Sequence, residues 1–290
     1  MKTDPRSLPF KDSRANASIP TRLVAAGFVA GRIRFVLHPF LASVGVLAFG
    51  AMMLVGEVVT PEMRPLASMQ APEALQAAAA DTRFVYAVNS SVIAKYDRKT
   101  NERLAVSTGD AKHLNSAFLS DGMLYCAHSN FPQKPEQSEI KVLDPATMKL
   151  STYKNFGASE GSLTWAVRED GVWWCTFAFY GADNAKTRLV KFDSAWREIK
   201  SWVYPAEVVK DLGNYSISGG LWQDGLLLAT GHDRRVIYRL RLPERGDTLE
   251  LVGLIRSPFP GQGIATDVND RALVGIDRSR KQVIFAELPE

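Results

Sequence analysis

The sequence predicts an all-β protein, a five-bladed β-propeller behind an N-terminal transmembrane helix. Three observations predict this fold. A polar turn followed by an apolar strand recurs five times, successive turns lie 40, 49, 54 and 45 residues apart, and an uncharged apolar segment precedes all of them. Four short strands in a repeat of this length are typical of a propeller blade. A β-sandwich is the alternative, but it accounts less well for the regular placing of the turns.

Composition and charge exclude several classes of protein. The apolar fraction is 46% and the charged fraction 23%, as in ordinary globular chains. Two cysteines are too few for a disulfide scaffold or a four-cysteine zinc site. Residues 1–34 carry seven basic and two acidic side chains, so the remaining residues hold 28 basic and 29 acidic ones. The basic character therefore belongs to the tail, and we expect no nucleic-acid partner.

The N-terminal residues predict a membrane anchor. Residues 1–34 form a basic cytoplasmic tail, and 35–58 form the anchor, in which 35–56 contain no Lys, Arg, Asp or Glu. Twenty-two helical residues reach about 33 Å, enough to cross a bilayer core. The basic tail then places the N-terminus in the cytoplasm and the propeller in the periplasm or outside the cell, held by a single pass through the inner (cytoplasmic) membrane.

Two other interpretations of the apolar segment are less favoured. A cleaved secretory signal needs a shorter apolar stretch with a small-residue cleavage site close behind it. The nearest such run, 77–80, lies about 20 residues too far along the chain for that role. A buried core helix is a poor match to a segment of this length beside such a charge asymmetry.

Residues 59–80 separate the anchor from the repeats. They contain Pro61, Pro65 and Pro72, followed by an Ala-rich run. Proline breaks regular structure and alanine favours helix, so the sequence predicts a semi-rigid spacer with a short helix near its end. The propeller domain is then predicted to occupy 81–290.

The repeat is clearest at its turns. Asp-Gly pairs precede apolar strands at 121–122, 170–171 and 224–225, and weaker equivalents stand at 81–82 and 269–270. Asp-Gly is a strong hairpin signal, because glycine accepts the positive φ that tight turns need. In three units a later strand ends at Asp97, Asp144 or Asp193, where the carboxylate can cap its own turn.

The two ends of the repeat are incomplete in a complementary way. The first unit lacks an obvious innermost strand, and the last unit ends after its third strand. We expect the two ends to meet, because closing the ring removes the exposed sheet edges.

The turn Val-Leu-Asp-Pro-Ala-Thr at 142–147 and the repeat across 81–290 resemble known propellers. The chain looks like the five-bladed propellers of the glutaminyl cyclotransferase type. It is also similar to the six- and seven-bladed lactonase-like propellers. The resemblance implies a propeller fold and offers one alternative function, an enzyme of cyclotransferase or lactonase/hydrolase type with its site in the central funnel.

The early residues of the innermost strands are predicted to line that funnel. Alternate positions of a strand share a face, and in three units these positions are polar. The residues predicted to bind a ligand there are Asn115, Ser162, Thr164, Ser216, Ser218 and Gln262. The structural alternative is that such groups bond only water along the axis.

His113 stands at the same level and is the candidate general base, with Glu160 as its carboxylate partner. His113, Glu160 and Asp267 are a conceivable set of metal ligands, but no metal-binding residue is assigned. The cofactor is unknown, and a divalent cation in the central channel is the candidate. A lone histidine is more often a hydrogen-bonded structural residue.

A second cluster closes the strand at 226–230. His232 and Asp233 follow it directly, and His128 and Ser129 hold a comparable place in the second unit. Neighbouring loops on one face could gather these side chains around one rim as a ligand site. His232 and Asp233 can pair only if the chain bends there, since neighbours in an extended strand point apart. The structural alternative is an exposed histidine on a turn.

Cys126 and Cys175 occupy equivalent positions in neighbouring units. Adjacent sheets pack about 10 Å apart, farther than the roughly 7 Å between Cα atoms that a disulfide allows. We therefore expect two buried free thiols rather than a disulfide.

The function that the sequence favours is a ligand- or protein-binding module. The chain has a complete fold and a polar funnel, but it contains no Gly-rich phosphate loop, no His-Glu-x-x-His and no Gly-x-Ser-x-Gly. The expected partners are the membrane and a small molecule or an envelope protein. An envelope-assembly component acting through the outer blade surface is a further alternative to the enzyme.

Overall fold

The computed structural model describes residues 60–268 and 271–290. The predicted tail and anchor, and the turn at 269–270, lie outside the described residues. Across the described part of the chain, no helix has the length and apolarity that crossing a bilayer requires.

The described chain is built of short strands, with one 3-10 helix, Gly181–Lys186, and one α-helix, α1 (Ala206–Leu212). The strands in chain order are β1 (Arg64–Gln70), β2 (Ala77–Ala80), β3 (Phe84–Val88), β4 (Ile93–Asp97), β5 (Arg103–Val106), β6 (His113–Ser120), β7 (Met123–Ser129), β8 (Gln137–Asp144), β9 (Lys149–Ala158), β10 (Ser162–Glu169), β11 (Val172–Ala178), β12 (Arg188–Phe192), β13 (Glu198–Val203), β14 (Gly219–Gln223), β15 (Leu226–Thr230), β16 (Val236–Arg241), β17 (Glu250–Arg256), β18 (Ala265–Thr266), β19 (Ala272–Asp277) and β20 (Gln282–Glu287).

These strands form five four-stranded antiparallel sheets, which confirms the prediction of five blades. Blade I holds β2–β5, blade II β6–β9, blade III β10–β13, blade IV β14–β17, and blade V β18–β20 together with β1. The first strand of each blade, β2, β6, β10, β14 or β18, lines the central axis.

The predicted Asp-Gly hairpins connect the first two strands of blades II, III and IV. In the first of these turns, Asp121 has φ 52° and Gly122 has φ 74°, and the other two turns repeat this pair of angles within a few degrees. Two successive residues with positive φ make the mirror-image turn that matches the twist of antiparallel strands. Aspartate tolerates this conformation better than most side chains, which explains why Asp-Gly recurs at these places.

The ring closes as predicted, but the closing strands come from residues that were predicted to form the spacer. β1 pairs with β20 as the outermost strand of blade V, and β2 supplies the innermost strand of blade I. The prediction of a spacer with a short helix over 59–80 is therefore wrong for these two segments. Tertiary pairing outweighs the helix preference of alanine here, because both segments satisfy sheet edges that would otherwise be open.

The alanines of β2 fit the limited space at the central axis. All four residues of β2 are at most 6% exposed. A Cβ atom added to Gly263 would lie only 2.6 Å from Cβ of Ala77, so the chain from blade V approaches β2 very closely. A larger side chain at 77 has no room, and the run of small residues is thus a feature of the propeller core.

Neighbouring blades are also joined at their outer edges. In three places the end of one outermost strand forms a parallel bridge with the start of the next, and the bridged pairs are Thr108–Lys149, Val203–Thr248 and Glu62–Arg256. Each bridge carries two backbone hydrogen bonds of 2.7–2.9 Å. These bonds link blade I to II, III to IV and IV to V, and they restrain the blades against sliding.

Large aromatic side chains fill the spaces between blades. Trp173 of blade III packs on Tyr153 of blade II with ring centroids 5.4 Å apart, and Trp174 of blade III packs on Trp222 of blade IV at 4.7 Å. Cys126 and Cys175 are buried between the sheets as free thiols, as expected from their equivalent positions. Burial raises the pKa of both thiols, so they remain protonated and unreactive.

Candidate functional site

The polar residues predicted to line the funnel are placed near the axis, but most of them are closed off from solvent. Asn115, Ser162, Thr164, Ser216 and Gln262 are between 1% and 8% exposed. Ser218 is half-buried, and both Ser216 and Ser218 precede β14 rather than belonging to it. A ligand in solution therefore does not reach most of this ring.

Several of these side chains are bound by the protein itself. Asn115 Nδ2 donates to Leu163 O at 3.0 Å, which ties blade II to blade III. Ser216 Oγ and Thr187 Oγ1 lie 2.8 Å apart and share a hydrogen bond. The hydroxyls of Ser162 and Thr164 are buried without a hydrogen-bond partner in the described protein.

A segment of blade V closes the axis. Gln262 N donates to Gly231 O at 2.8 Å, Gln262 Nε2 donates to His232 O at 2.8 Å, and Gly263 N donates to Gln76 O at 2.9 Å. A Cβ on Gly263 would also lie 3.0 Å from Cα of Ser116. The segment thus touches blades I, II and IV at once and occupies the predicted mouth of the funnel.

The proposed acid–base residues are not brought together. Glu160 is exposed, whereas His113 is half-buried, and no hydrogen bond or ion pair joins the two side chains in the described part of the chain. Asp267 is fully engaged, since both its oxygens accept from Arg98 at 2.6 Å. Among the described residues, no group of three His, Cys, Asp or Glu side chains is placed to hold a metal ion.

The end of the ring where the innermost strands begin gathers a different set of groups. We call it the loop end, and it is formed by the connections at 71–76, 107–112, 159–161, 204–218 and 257–264 and by the loops that follow each second strand. His113 lies there, with its ring 5.5 Å from that of Phe131, which in turn lies 5.1 Å from Tyr180. Burial and then the charge of Arg278 lower the pKa of His113, so this imidazole is neutral at pH 7.

His232 and Asp233 do meet, because the chain bends directly after β15 instead of continuing as a strand. His232 Nδ1 lies 2.7 Å from Asp233 Oδ2, and the ring stacks in parallel on Tyr215 at 4.1 Å. Arg278 Nη1 lies 3.0 Å from Nε2 of the same ring. Arginine can only donate, so Nε2 accepts and the proton stays on Nδ1, facing Asp233.

The chemistry of this arrangement suits binding better than proton transfer. A general base needs a free ring nitrogen, and both nitrogens of His232 are occupied, one by Asp233 and one by Arg278. Arg278 keeps further N–H groups for an acceptor on a ligand, and its charge also acts on His113. The loop end therefore offers the guanidinium of Arg278, which contacts His232 and acts electrostatically on His113, and each of these imidazoles packs against an aromatic ring.

His128 does not join this group. It lies on β7, 5% exposed, where Lys112 N donates to its Nε2 at 2.9 Å. Its charged neighbours are Glu139 and Lys141 of β8, and no hydrogen bond or ion pair of the described residues links it to His232. The predicted rim of His128, Ser129, His232 and Asp233 is thus two separate places, with Ser129 fully buried.

Sequence reasoning missed Phe131, Tyr180, Tyr215 and Arg278. The regular spacing of the repeat could have indicated two of them. Phe131 and Tyr180 each stand nine residues after the glycine of an Asp-Gly turn, two residues beyond the second strand of their blade. Tyr215 and Arg278 have no such equivalents, because they come from a long connection and from a tight turn.

No protein-family model matches this chain, and no curated protein matches it in sequence. The chain is similar in structure to the glutaminyl cyclase of Myxococcus xanthus, with a TM-score of 0.56 and 9% identity, over 78% of this chain and 96% of that one. It is also similar to the β-propeller domain of Cps50 (Swd1) from Myceliophteria thermophila, with a TM-score of 0.46 and 9% identity, over 78% and 99% of the two chains. At these identities the comparison shows the fold alone, and the chain is a β-propeller that resembles glutaminyl cyclase at the level of the fold.

Proposed function

We propose that this chain is a membrane-anchored, extracytoplasmic β-propeller that binds a small molecule or an envelope protein at its loop end. One observation carries the proposal. Two exposed aromatic residues, Phe131 and Tyr215, each contact a histidine that lies within reach of Arg278.

Exposure makes these rings available to a partner. Phe131 is 37% exposed and Tyr215 is 43% exposed, although both carry large apolar faces. Aromatic and arginine side chains contribute most to recognition surfaces, since they bury area and donate hydrogen bonds at low entropic cost. Loops on a rigid scaffold are the usual place for such a surface.

Burial of the axial residues favours binding at this surface over catalysis in the funnel. The ring of Asn115, Ser162 and Thr164 is closed, and Glu160 does not reach His113. A substrate would have to displace the segment at 262–263 before it met those groups. An enzyme of cyclotransferase or hydrolase type is therefore the weaker candidate.

Site-specific crosslinking in cells tests the loop end. We expect full-length chain carrying benzoylphenylalanine in place of Tyr215 to give a discrete adduct on irradiation. The matched control replaces Tyr153, which is 44% exposed on the outermost strand β9, and should give none. An adduct at 153 alone, or adducts at neither position, would contradict binding at the loop end. Turnover of an N-terminal glutaminyl peptide or of a lactone by the purified full chain would replace the binding module with the enzyme.

The membrane location rests on the sequence. Residues 35–56 carry no charged side chain, and the basic excess of the chain precedes them. We expect alkaline phosphatase fused after Glu290 to be active in cells, because that enzyme requires an oxidising compartment. Replacing Arg22, Arg32 and Arg34 by Glu should reverse the orientation and lower this activity at least tenfold. Equal alkaline phosphatase activity of the unsubstituted and the substituted fusion proteins would argue against the proposed topology.

A further inference from the structure

A pocket lies on blade II, where the connection 107–112 of the loop end enters β6. It has a volume of about 400 Å³ and is lined by β7, β8 and the connection that enters β6. The side chains that matter for its chemistry are Asp110, Lys112, His128, Glu139 and Lys141. Two of them, His128 and Lys141, are almost completely buried.

His128 presents an unused hydrogen-bond donor to this pocket. Because Lys112 N donates to Nε2 at 2.9 Å, the ring carries its proton on Nδ1. That atom is buried and has no hydrogen-bond partner in the described protein. Glu139 Oε2 lies 3.2 Å away but out of line for a hydrogen bond. A buried donor without an acceptor costs about 1–3 kcal/mol, so the site is ready to accept one.

Both oxygens of the Glu139 carboxylate already have other partners. Its Oε1 accepts from Asn155 Nδ2 at 3.0 Å, and its Oε2 lies 2.7 Å from Lys141 Nζ. Lys141 Nζ also donates to Thr152 Oγ1 at 2.8 Å. An ammonium group has three N–H bonds, so one of them remains for a ligand. The pocket therefore has spare donors, and both oxygens of its Glu139 carboxylate already have a partner.

The electrostatic environment of His128 is consistent with a pocket that has spare hydrogen-bond donors. Burial and then the charge of Lys141 lower the pKa of His128 to about 4, and Glu139 only partly opposes this shift. The imidazole is thus neutral at pH 7, and it sits in a field that favours negative charge. Asp110 is exposed at the edge of the pocket.

We propose that this pocket binds the carboxylate group of a small organic acid, with His128 Nδ1 and Lys141 Nζ donating to its two oxygens. His128 Nδ1 and Lys141 Nζ lie 3.2 Å and 2.7 Å from the same oxygen of Glu139, so the two donors are close enough to bind one carboxylate together. A cationic ligand would be repelled by Lys112 and Lys141, and a phosphate dianion brings more charge than one shared ammonium balances. None of Phe131, Tyr215, His232 and Arg278 lines the pocket, so the proposal does not depend on the aromatic groups of the loop end.

Histidine NMR on the full chain in detergent micelles tests the proposal. The chain has four histidines, so ring resonances are few, and His128→Gln identifies the one of interest. We expect sodium acetate at pH 7 to shift the His128 ring resonances to saturation, with a Kd of about 1–10 mM, as suits so small a ligand. The His232 resonances should stay in place. Sodium phosphate and methylammonium chloride at equal ionic strength are the comparison probes.

A substitution separates binding at the pocket from a general salt effect. Lys141→Met should weaken the response to acetate at least tenfold, and Lys149→Met, an exposed lysine of the same blade, should leave it unchanged. Should Lys141→Met fail to fold, the titration of the unsubstituted chain decides. No shift of His128 with acetate, or a saturable shift with phosphate or methylammonium alone, would overturn the proposal.

Discussion

Replacing Met69 by Asp should destabilise the propeller by about 3–5 kcal/mol, the cost typical of an unpaired buried charge. Met69 lies on β1, is 5% exposed, and packs in the same cluster as Val283 and Phe285 of blade V. Chemical denaturation of the full chain in micelles, followed by tryptophan fluorescence, measures the loss. Leu66→Asp is the matched control, because Leu66 is on the same strand and 45% exposed.

The reason for so large an effect is the position of β1 in the ring. Its register runs from Arg64 opposite Glu287 to Gln70 opposite Gln282, so it joins the two ends of the described chain. Weakening it opens the ring where the two ends of the described chain meet, and it exposes the edge of β20. Equal stability losses for Met69→Asp and Leu66→Asp would show that β1 does not close the ring as described.

The second large effect is expected at Gly263, where Val should cost about 3 kcal/mol, near the upper end of what overpacking costs. A Cβ at this position would lie 2.6 Å from Cβ of Ala77 and 3.0 Å from Cα of Ser116. Backbone atoms and a small buried side chain cannot move aside as a long side chain does. The segment at 262–263 must shift out of the axis instead.

Gly253→Val is the control for this substitution. Gly253 lies on the outermost strand β17, and a Cβ there meets nothing within 4 Å. Valine suits an outer strand, so stability should stay the same or rise slightly. Denaturant midpoints of both variants, compared at one pH, measure the difference. A neutral Gly263→Val would contradict the closed axis and reopen the funnel as a ligand site.

Local features of the fold were predictable because they depend on a few adjacent residues. Asp121 and Gly122 form the expected hairpin, since their own backbone preferences suit positive φ. Asp144 caps its turn by accepting from Ala146 N at 2.9 Å, as the Asp-led turns predicted. Repetition of such signals was enough to count five blades.

The boundary of the propeller was not predictable in the same way. Pro65 and the alanines at 77–80 have the local preferences of a spacer and a helix. The alanines pair with the neighbouring strand β3 and lie against Gly263 of blade V, so packing at the axis outweighs their helix preference. Residues 64–70 become a strand because partners about 200 residues away complete their hydrogen bonds, as Arg64 opposite Glu287 illustrates. No local pattern carries that information.

For the candidate site, local patterns in the sequence were enough to predict the repeat, the polar character of the first strands, and His113 and His232 as site residues. Tertiary structure alone decided that Gly263 closes the axis and that Arg278 meets His232, because these contacts join residues from different blades. It also decided that His128 sits beside Lys141 in a pocket rather than on a rim. Blade signals repeat along the chain and can be read locally, whereas a site built from the loops of several blades exists only once the ring has closed.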